Sequence, residues 1–246
     1  MMRDLHTHTV FSDGNNTTEE MVISAIEKGL KVIGISDHSY TEFDTSYCMK
    51  KEDVEKYVCE IRNLKTKYNS QIEVLCGVEQ DFFSGVPKYD FDYVIGSVHY
   101  IKLEDEYISV DSSAQELKTA ADKFFDGDIY PLIQEYYRLV GLLSEKTGAD
   151  IIGHFDLISK FQEKEPLFDE NDERYIKAWQ SAVDKLIEAD VCFEINYGAI
   201  SRGYRTTPYP SEDIKEYILK KGGRFILSSD SHHTDTVANF KNLKSV

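Results

Sequence analysis

From end to end the sequence alternates short apolar runs with longer amphipathic ones, and histidines or carboxylates stand where the short runs end. No other feature constrains the fold as much. The strand candidates are Met2–Leu5, Val32–Ile35, Ile72–Val78, Tyr93–Val98, Asp150–Ile152, Val191–Ile195 and Arg224–Leu227. Between them the pattern turns helical. Thr17-Thr18-Glu19-Glu20 fits a capping box, opening a helix that Gly29 can close. Val54, Tyr57, Val58, Ile61, Leu64 and Tyr68 recur at three- and four-residue steps, one face of a helix. Leu132–Leu143, Tyr175–Ala189 and Ser211–Leu219 also read as helices. Such alternation argues for an α/β fold with a parallel sheet, and seven strands can close into a barrel. With no internal repeat, linker or low-complexity stretch, one domain over residues 1–246 is the economical expectation. Ile101–Asp128 breaks the rhythm and reads as a long acidic loop over one barrel end, leading into a helix at Ala114–Phe125.

Of the seven histidines, six fall at strand ends. His6 and His8 close the first run, His38 follows the second, His99 the fourth and His154 the fifth, while Asp230 and His232 follow the last. Glu79 follows the third. In parallel barrels the C-terminal strand ends converge on one rim, so this topology gathers the imidazoles and carboxylates in one place. A single histidine at a strand end is more often a hydrogen-bonded structural residue than a ligand. His6-Thr7-His8 is stronger, because residues two apart on a strand share a face. The joint occurrence is stronger still, since scattered core histidines would also land in helices. Asp13, Asp37 and Asp156 are weaker candidates, and His233 is expected to face solvent. Nitrogen and oxygen ligands without thiolate suit Zn, Mn or Fe. There are too many for one tetrahedral site, and two or three divalent ions sharing a bridging carboxylate would use them.

The charge balance narrows the partners. With 28 Lys and Arg against 44 Asp and Glu, the net charge is -16, so counterion release on nucleic acid offers nothing. A small anion can still bind where metal ions reverse the local field. No run is long and apolar enough to span a bilayer, residues 1–14 do not read as a signal peptide, and Cys48, Cys59, Cys76 and Cys192 form no C-x-x-C pair. The expectation is a cytoplasmic protein with a small-molecule partner and no nucleic acid or membrane; oligomeric state is unspecified.

The motifs Asp4-Leu5-His6-Thr7-His8-Thr9, Ile35-Ser36-Asp37-His38, Gly77-Val78-Glu79, Gly96-Ser97-Val98-His99-Tyr100, Gly153-His154-Phe155-Asp156 and Ser229-Asp230-Ser231-His232 resemble the PHP (polymerase and histidinol phosphatase) superfamily across essentially the whole chain. Within it, Phe91–His99, His154–Ile158 and Glu194-Ile195-Asn196 with Tyr209-Pro210-Ser211 look most like monofunctional histidinol-phosphate phosphatases. The resemblance implies a distorted (β/α)7 barrel with a trinuclear centre. His6, His8, Glu79 and Asp230 would hold one ion, and Glu79 would bridge to a second held by His99 and His154. A third would take His38, His232 and Asp13, at a point where other members have His. The family's phosphate-binding arginine falls in a window holding both Arg202 and Arg205, a stretch that does not align without a gap, with Arg202 preferred and Arg205 second; either could instead pair with an acidic neighbour. The chemistry favours Arg there, since a guanidinium grips phosphate oxygens bidentately.

The implied activity is hydrolysis of L-histidinol phosphate to L-histidinol and phosphate by a metal-bridging hydroxide. Glu79, Asp230 and His232 are the candidate catalytic groups, with the acid for the leaving group left open between the last two. Three alternatives compete. The same fold could act on a nucleotide or other small phosphomonoester. The domain could bind metal without catalysis, although a non-catalytic descendant would be expected to have lost ligands. An amidohydrolase-type barrel acting on C–N bonds would want a carbamylated Lys at the third strand end, where Glu79 stands.

Overall fold

In the computed structural model, which describes residues 2–84 and 89–240, seven parallel strands form the central sheet. They are β1 (Arg3–Asp4), β2 (Val32–Ile35), β3 (Glu73–Asp81), β4 (Tyr93–Ser97), β7 (Ile151–Ile152), β8 (Cys192–Asn196) and β9 (Arg224–Ser228), ordered β1-β2-β3-β4-β7-β8-β9. The two edges meet. Beyond β1 and β9, Thr7 bridges Ser231 in parallel, the His8 amide donates to the Ser231 carbonyl at 2.8 Å, and the Ser231 amide donates to that of His6 at 3.2 Å. Buried Asp4 strengthens the seam, accepting from the Ser229 amide and hydroxyl and from the Ala238 amide. The sheet is therefore a nearly closed barrel of the expected (β/α)7 kind. Residue 1 and residues 85–88 and 241–246 of the expected 1–246 domain lie outside the described residues.

Helices follow the strands because each amphipathic segment has one apolar face to bury. α1 (Thr18–Glu27) begins at the Thr17–Glu20 capping box, and Gly29 takes the left-handed conformation (φ 73°) just past its end. With α2 (Val54–Lys67) it encloses a core that includes Met21, Tyr57, Ile61 and Val74. On the other side α3 (Ala114–Phe125), α4 (Tyr130–Val140), α6 (Glu173–Glu188) and α8 (Glu212–Lys220) pack around Tyr136, Tyr137, Phe155, Trp179 and Phe193. A third cluster, Leu5, Val32, Tyr93, Ile95, Ile151 and Ile226, joins the strands themselves.

Two expectations need correction. The helix read over Leu132–Leu143 divides after Val140, where Gly141 caps α4 and a separate short helix, α5 (Leu143–Thr147), begins. Nor is Ile101–Asp128 simply a loop before its helix: β5 (Tyr100–Leu103) and β6 (Glu106–Ser109) form an antiparallel hairpin, followed by α3. Tyr107 and Ile108 have high strand propensity, and the turn is made at Glu104-Asp105, with Glu104 at φ 53°. The acidic composition of the segment obscured that two-residue turn.

Candidate metal centre

The barrel closure delivers the histidines. β3 runs on to Asp81, so Glu79 lies within a strand rather than after it and pairs with His38 through an isolated bridge. Its buried carboxylate is the hub. One oxygen, Oε2, lies 3.2 Å from His6 Nε2, 3.5 Å from His8 Nε2 and 2.9 Å from His38 Nδ1. The other, Oε1, lies 2.9 Å from His154 Nε2 and 3.6 Å from His99 Nε2, and accepts from the Ser97 hydroxyl at 2.6 Å. Asp230 Oδ1 stands 3.9 and 3.5 Å from the same His6 and His8 nitrogens. Farther out, Asp13 Oδ1 is 3.7 Å from His38 Nε2, and Asp13 Oδ2 is 3.2 Å from His232 Nε2.

These nitrogens and oxygens point past one another. His6 Nε2, both His8 ring nitrogens, His38 Nδ1 and Glu79 Oε2 are buried and close together, yet none makes an aligned hydrogen bond. Buried polar atoms are nearly always satisfied, and a cluster of exceptions aimed at common points is the signature of cations. Three sets have mutually close ligand atoms: His6, His8 and Glu79; His38, Glu79 and His99; and His8, Asp13, His38 and His232. Asp230 and His154 lie outside those compact sets but reach them through the distances above. Nine N and O ligand residues without thiolate, all buried except half-buried His232 and exposed Asp13, fit divalent Zn, Mn or Fe.

Further groups aim these ligands. Glu194 accepts from His6 Nδ1 at 2.7 Å with one oxygen and from the His154 amide at 3.1 Å with the other, so His6 turns Nε2 inward. Asp81 accepts from the His99 amide at 3.1 Å and stands 3.3 Å from its Nδ1. Without cations the site sets its own charges. Burial and the neighbouring His232 and His38 push His8 down to about 3, leaving a neutral ring with a lone pair to offer. Burial opposes a charge on Glu79, but His38, His6 and His99 hold its carboxyl well below the usual range. Burial likewise opposes a charge on His38, and the Glu79 carboxylate overrides it, raising the group to about 9. Asp230 keeps a left-handed backbone (φ 50°), rare for a non-glycine residue and common where function fixes geometry.

The centre forms the floor of a cavity of about 340 Å³. Of the two arginines, Arg202 lines it, following a short helix α7 (Gly198–Ser201) and donating to Asp230 Oδ2 at 2.9 Å. Gly198 makes room, since a Cβ there would collide with both Arg202 and Asp230. Arg205 does not line it. Its guanidinium is buried against Tyr209, donates to the Ser159 hydroxyl at 2.7 Å and lies 3.7 Å from Asp156 Oδ2, so it is committed to internal charges. Asp156 is thereby Arg205's partner, and Asp37 holds the loop after β1. His233 caps a 3-10 turn at Thr234–Thr236 with its side chain about half exposed. Sequence reasoning overlooked Glu194, Asp81, Asp44, Tyr47 and Lys160. Glu194 carried a signal as a lone carboxylate inside an apolar strand, where burial demands partners; the other four had none that spacing could show.

A nearly closed parallel barrel whose strand ends gather imidazoles and carboxylates around one central glutamate defines an α/β barrel with a candidate metal centre. The family model described as PHP domain matches residues 4–198, and the chain belongs to that family. A protein of Deinococcus radiodurans named "Probable histidinol-phosphatase" is 27% identical over 252 residues, covering 95% of this chain and 87% of the relative. A crystal structure from Listeria monocytogenes superposes with a TM-score of 0.79 at 22% identity, covering 96% of this chain and 97% of that one. The histidinol phosphate phosphatase of Lactococcus lactis, crystallised with zinc, L-histidinol and phosphate, gives 0.71 at 19% identity, covering 95% and 87%. Both crystal structures share the barrel fold.

Proposed function

We propose that this chain is a metal-dependent phosphomonoesterase that hydrolyses L-histidinol phosphate to L-histidinol and phosphate. The observation that carries this is the gathering of seven further candidate ligands around Glu79 and Asp13 in a cavity that Arg202 also faces. The name and high mutual coverage of the Deinococcus relative support the same substrate. Bound divalent ions would supply Lewis acidity and an activated water for attack on phosphorus. Glu79 would bridge two of them, with His6, His8 and Asp230 on one side and His99 and His154 on the other. His38, His232 and Asp13 would hold a third. Arg202, anchored by Asp230, would take phosphate oxygens and stabilise charge on the transferring group.

The rest of the cavity suits the cationic end of this substrate. Asp44, whose carboxylate accepts from the Tyr100 hydroxyl at 2.6 Å, lines it beside Tyr47 and Tyr100, and Asp111, beyond the hairpin, lines it paired with Lys160, whose Nζ stands 3.3 Å from Asp111 Oδ2. An ammonium and an imidazole can pair with such carboxylates and pack on the rings. The net charge of -16 supports a small-molecule substrate rather than nucleic acid, and no described helix is long and apolar enough to cross a membrane.

Phosphate release by the metal-replete protein from L-histidinol phosphate, AMP, a sugar phosphate and p-nitrophenyl phosphate tests the proposal. A lead of about 100-fold or more in kcat/KM for histidinol phosphate is expected, as for a site with dedicated polar partners. A lead for AMP would overturn the substrate while leaving the phosphoesterase chemistry standing.

A further inference from the structure

Asp13 is carried by the irregular loop that follows His8 and leads into α1, and its side chain is about 33% exposed. A carboxylate there can serve a cation only if the loop is held. The loop is tied down chiefly by Asp37, the wholly buried residue immediately before His38. Asp37 Oδ1 accepts from the Thr9 amide at 2.8 Å, the Ser12 amide at 3.1 Å and the Ser12 hydroxyl at 2.5 Å, while Oδ2 accepts from the Thr9 hydroxyl at 2.8 Å. Four bonds from one side chain gather the residues just before Asp13. The loop's other ties include backbone bonds from Gly14 to the Thr9 carbonyl at 3.0 Å and from Asn15 to the His232 carbonyl at 2.8 Å, and side-chain bonds in which Asn15 donates to the same His232 carbonyl at 3.1 Å and Asn16 accepts from the Thr234 amide at 3.1 Å. The four bonds of the Asp37 carboxylate go to Thr9 and Ser12 and to no candidate ligand, yet they join two segments that each contribute to one cation site: the one after β2 with His38, and the loop with Asp13.

We propose that Asp37 is a positioning residue for the outermost cation site: it sets the distance from Asp13 to His38 and His232 and so governs that site more than the sites on Glu79. Of the ligands grouped on Glu79, His6, His99 and His154 come from segments that Asp37 does not bond, whereas His38 follows Asp37 directly and His8 precedes Thr9. The inference rests on the three-ion reading above, and it assigns the third site's affinity to a residue that coordinates nothing. Partners that orient metal ligands typically contribute about 10–100-fold in affinity.

Zinc content provides the test, measured on the full chain after equilibration against graded chelator, with the folded state followed by circular dichroism. Two variants approach the interaction from opposite sides. Asp37→Asn keeps the shape but sets an amide against the Thr9 hydroxyl. The double variant Thr9→Val with Ser12→Ala removes two donors and leaves Asp37 in place. Wild type is expected to retain three zinc ions, and both variants two, with the third bound about 10–100-fold more weakly. Variants that hold all three as tightly as wild type would overturn the positioning role alone. Equal weakening of all three ions would overturn it too, by showing a merely structural part. A wild type that never takes up more than two ions would overturn the three-ion reading itself, and with it this inference.

Discussion

The floor and the rim of the cavity are built on different terms. On the floor His6, His8, Glu79 and His154 expose between 0 and 5% of their side chains. Each stands on a barrel strand or at the end of one, and Glu194 reaches two of them from a neighbouring strand. At the rim the corresponding values are 33% for Asp13, 35% for Arg202 and 21% for His232, and loops or a single helical turn carry all three. A strand fixes a side chain through hydrogen bonds to both neighbours, whereas a loop fixes it only through the contacts it happens to make. The floor is therefore suited to hold charge at invariant spacing, and the rim to meet what enters.

If that division is right, damage to the hub should exceed damage at the rim. Glu79→Gln keeps the shape but removes the charge that five imidazoles face. Turnover is expected to fall on the order of 10³-fold or more, together with metal content. Steady-state kinetics beside metal analysis checks both; an active and fully metallated variant would remove Glu79 from the bridging role and erase the contrast.

The two arginines sharpen the comparison, because they lie three positions apart in the sequence yet face different surroundings. Arg202→Ala should lower kcat/KM about 100-fold, as expected when a preorganised charge on the reacting group is lost. Arg205→Met should instead leave Asp156 buried without its cation, a loss of roughly 3–5 kcal/mol in stability. Thermal unfolding and kinetics of both variants separate the cases. A catalytic collapse in a stable Arg205→Met protein would reverse the assignment.

The same contrast explains what the sequence could and could not say. Strand ends are legible because short apolar runs bounded by turn residues have a narrow range of structural meanings, and a parallel barrel sends all their C-terminal ends to one side. His6, His8, Glu79, His99 and His154 followed from that logic. The hairpin Tyr100–Ser109 did not, because acidic residues masked its alternation, nor did the choice between Arg202 and Arg205. That choice depends on how the chain bends after β8, where Tyr209 returns to pair with Asn196 across a turn that spacing alone does not specify. Glu194 and Asp81 are a third kind: their meaning lies in a partner far along the chain or on an adjacent strand, and only the assembled barrel supplies it.

Glu194 also allows the finest test, since it separates orientation from ligation on the floor. Glu194→Gln can still accept the His6 Nδ1 hydrogen with its oxygen, but its amide then faces the His154 amide and the Asn196 side-chain amide, both donors. One of the two ligands must turn. No metal contact is removed, so a fold-wide loss is not expected. Zinc affinity at the floor should fall about 10-fold, the lower end for groups that orient ligands. The Asp13 site should be spared, because Glu194 touches neither His38 nor His232. Chelator competition that follows each ion separately reads the difference. Weakening confined to the rim would show that the two regions are one coupled unit rather than two.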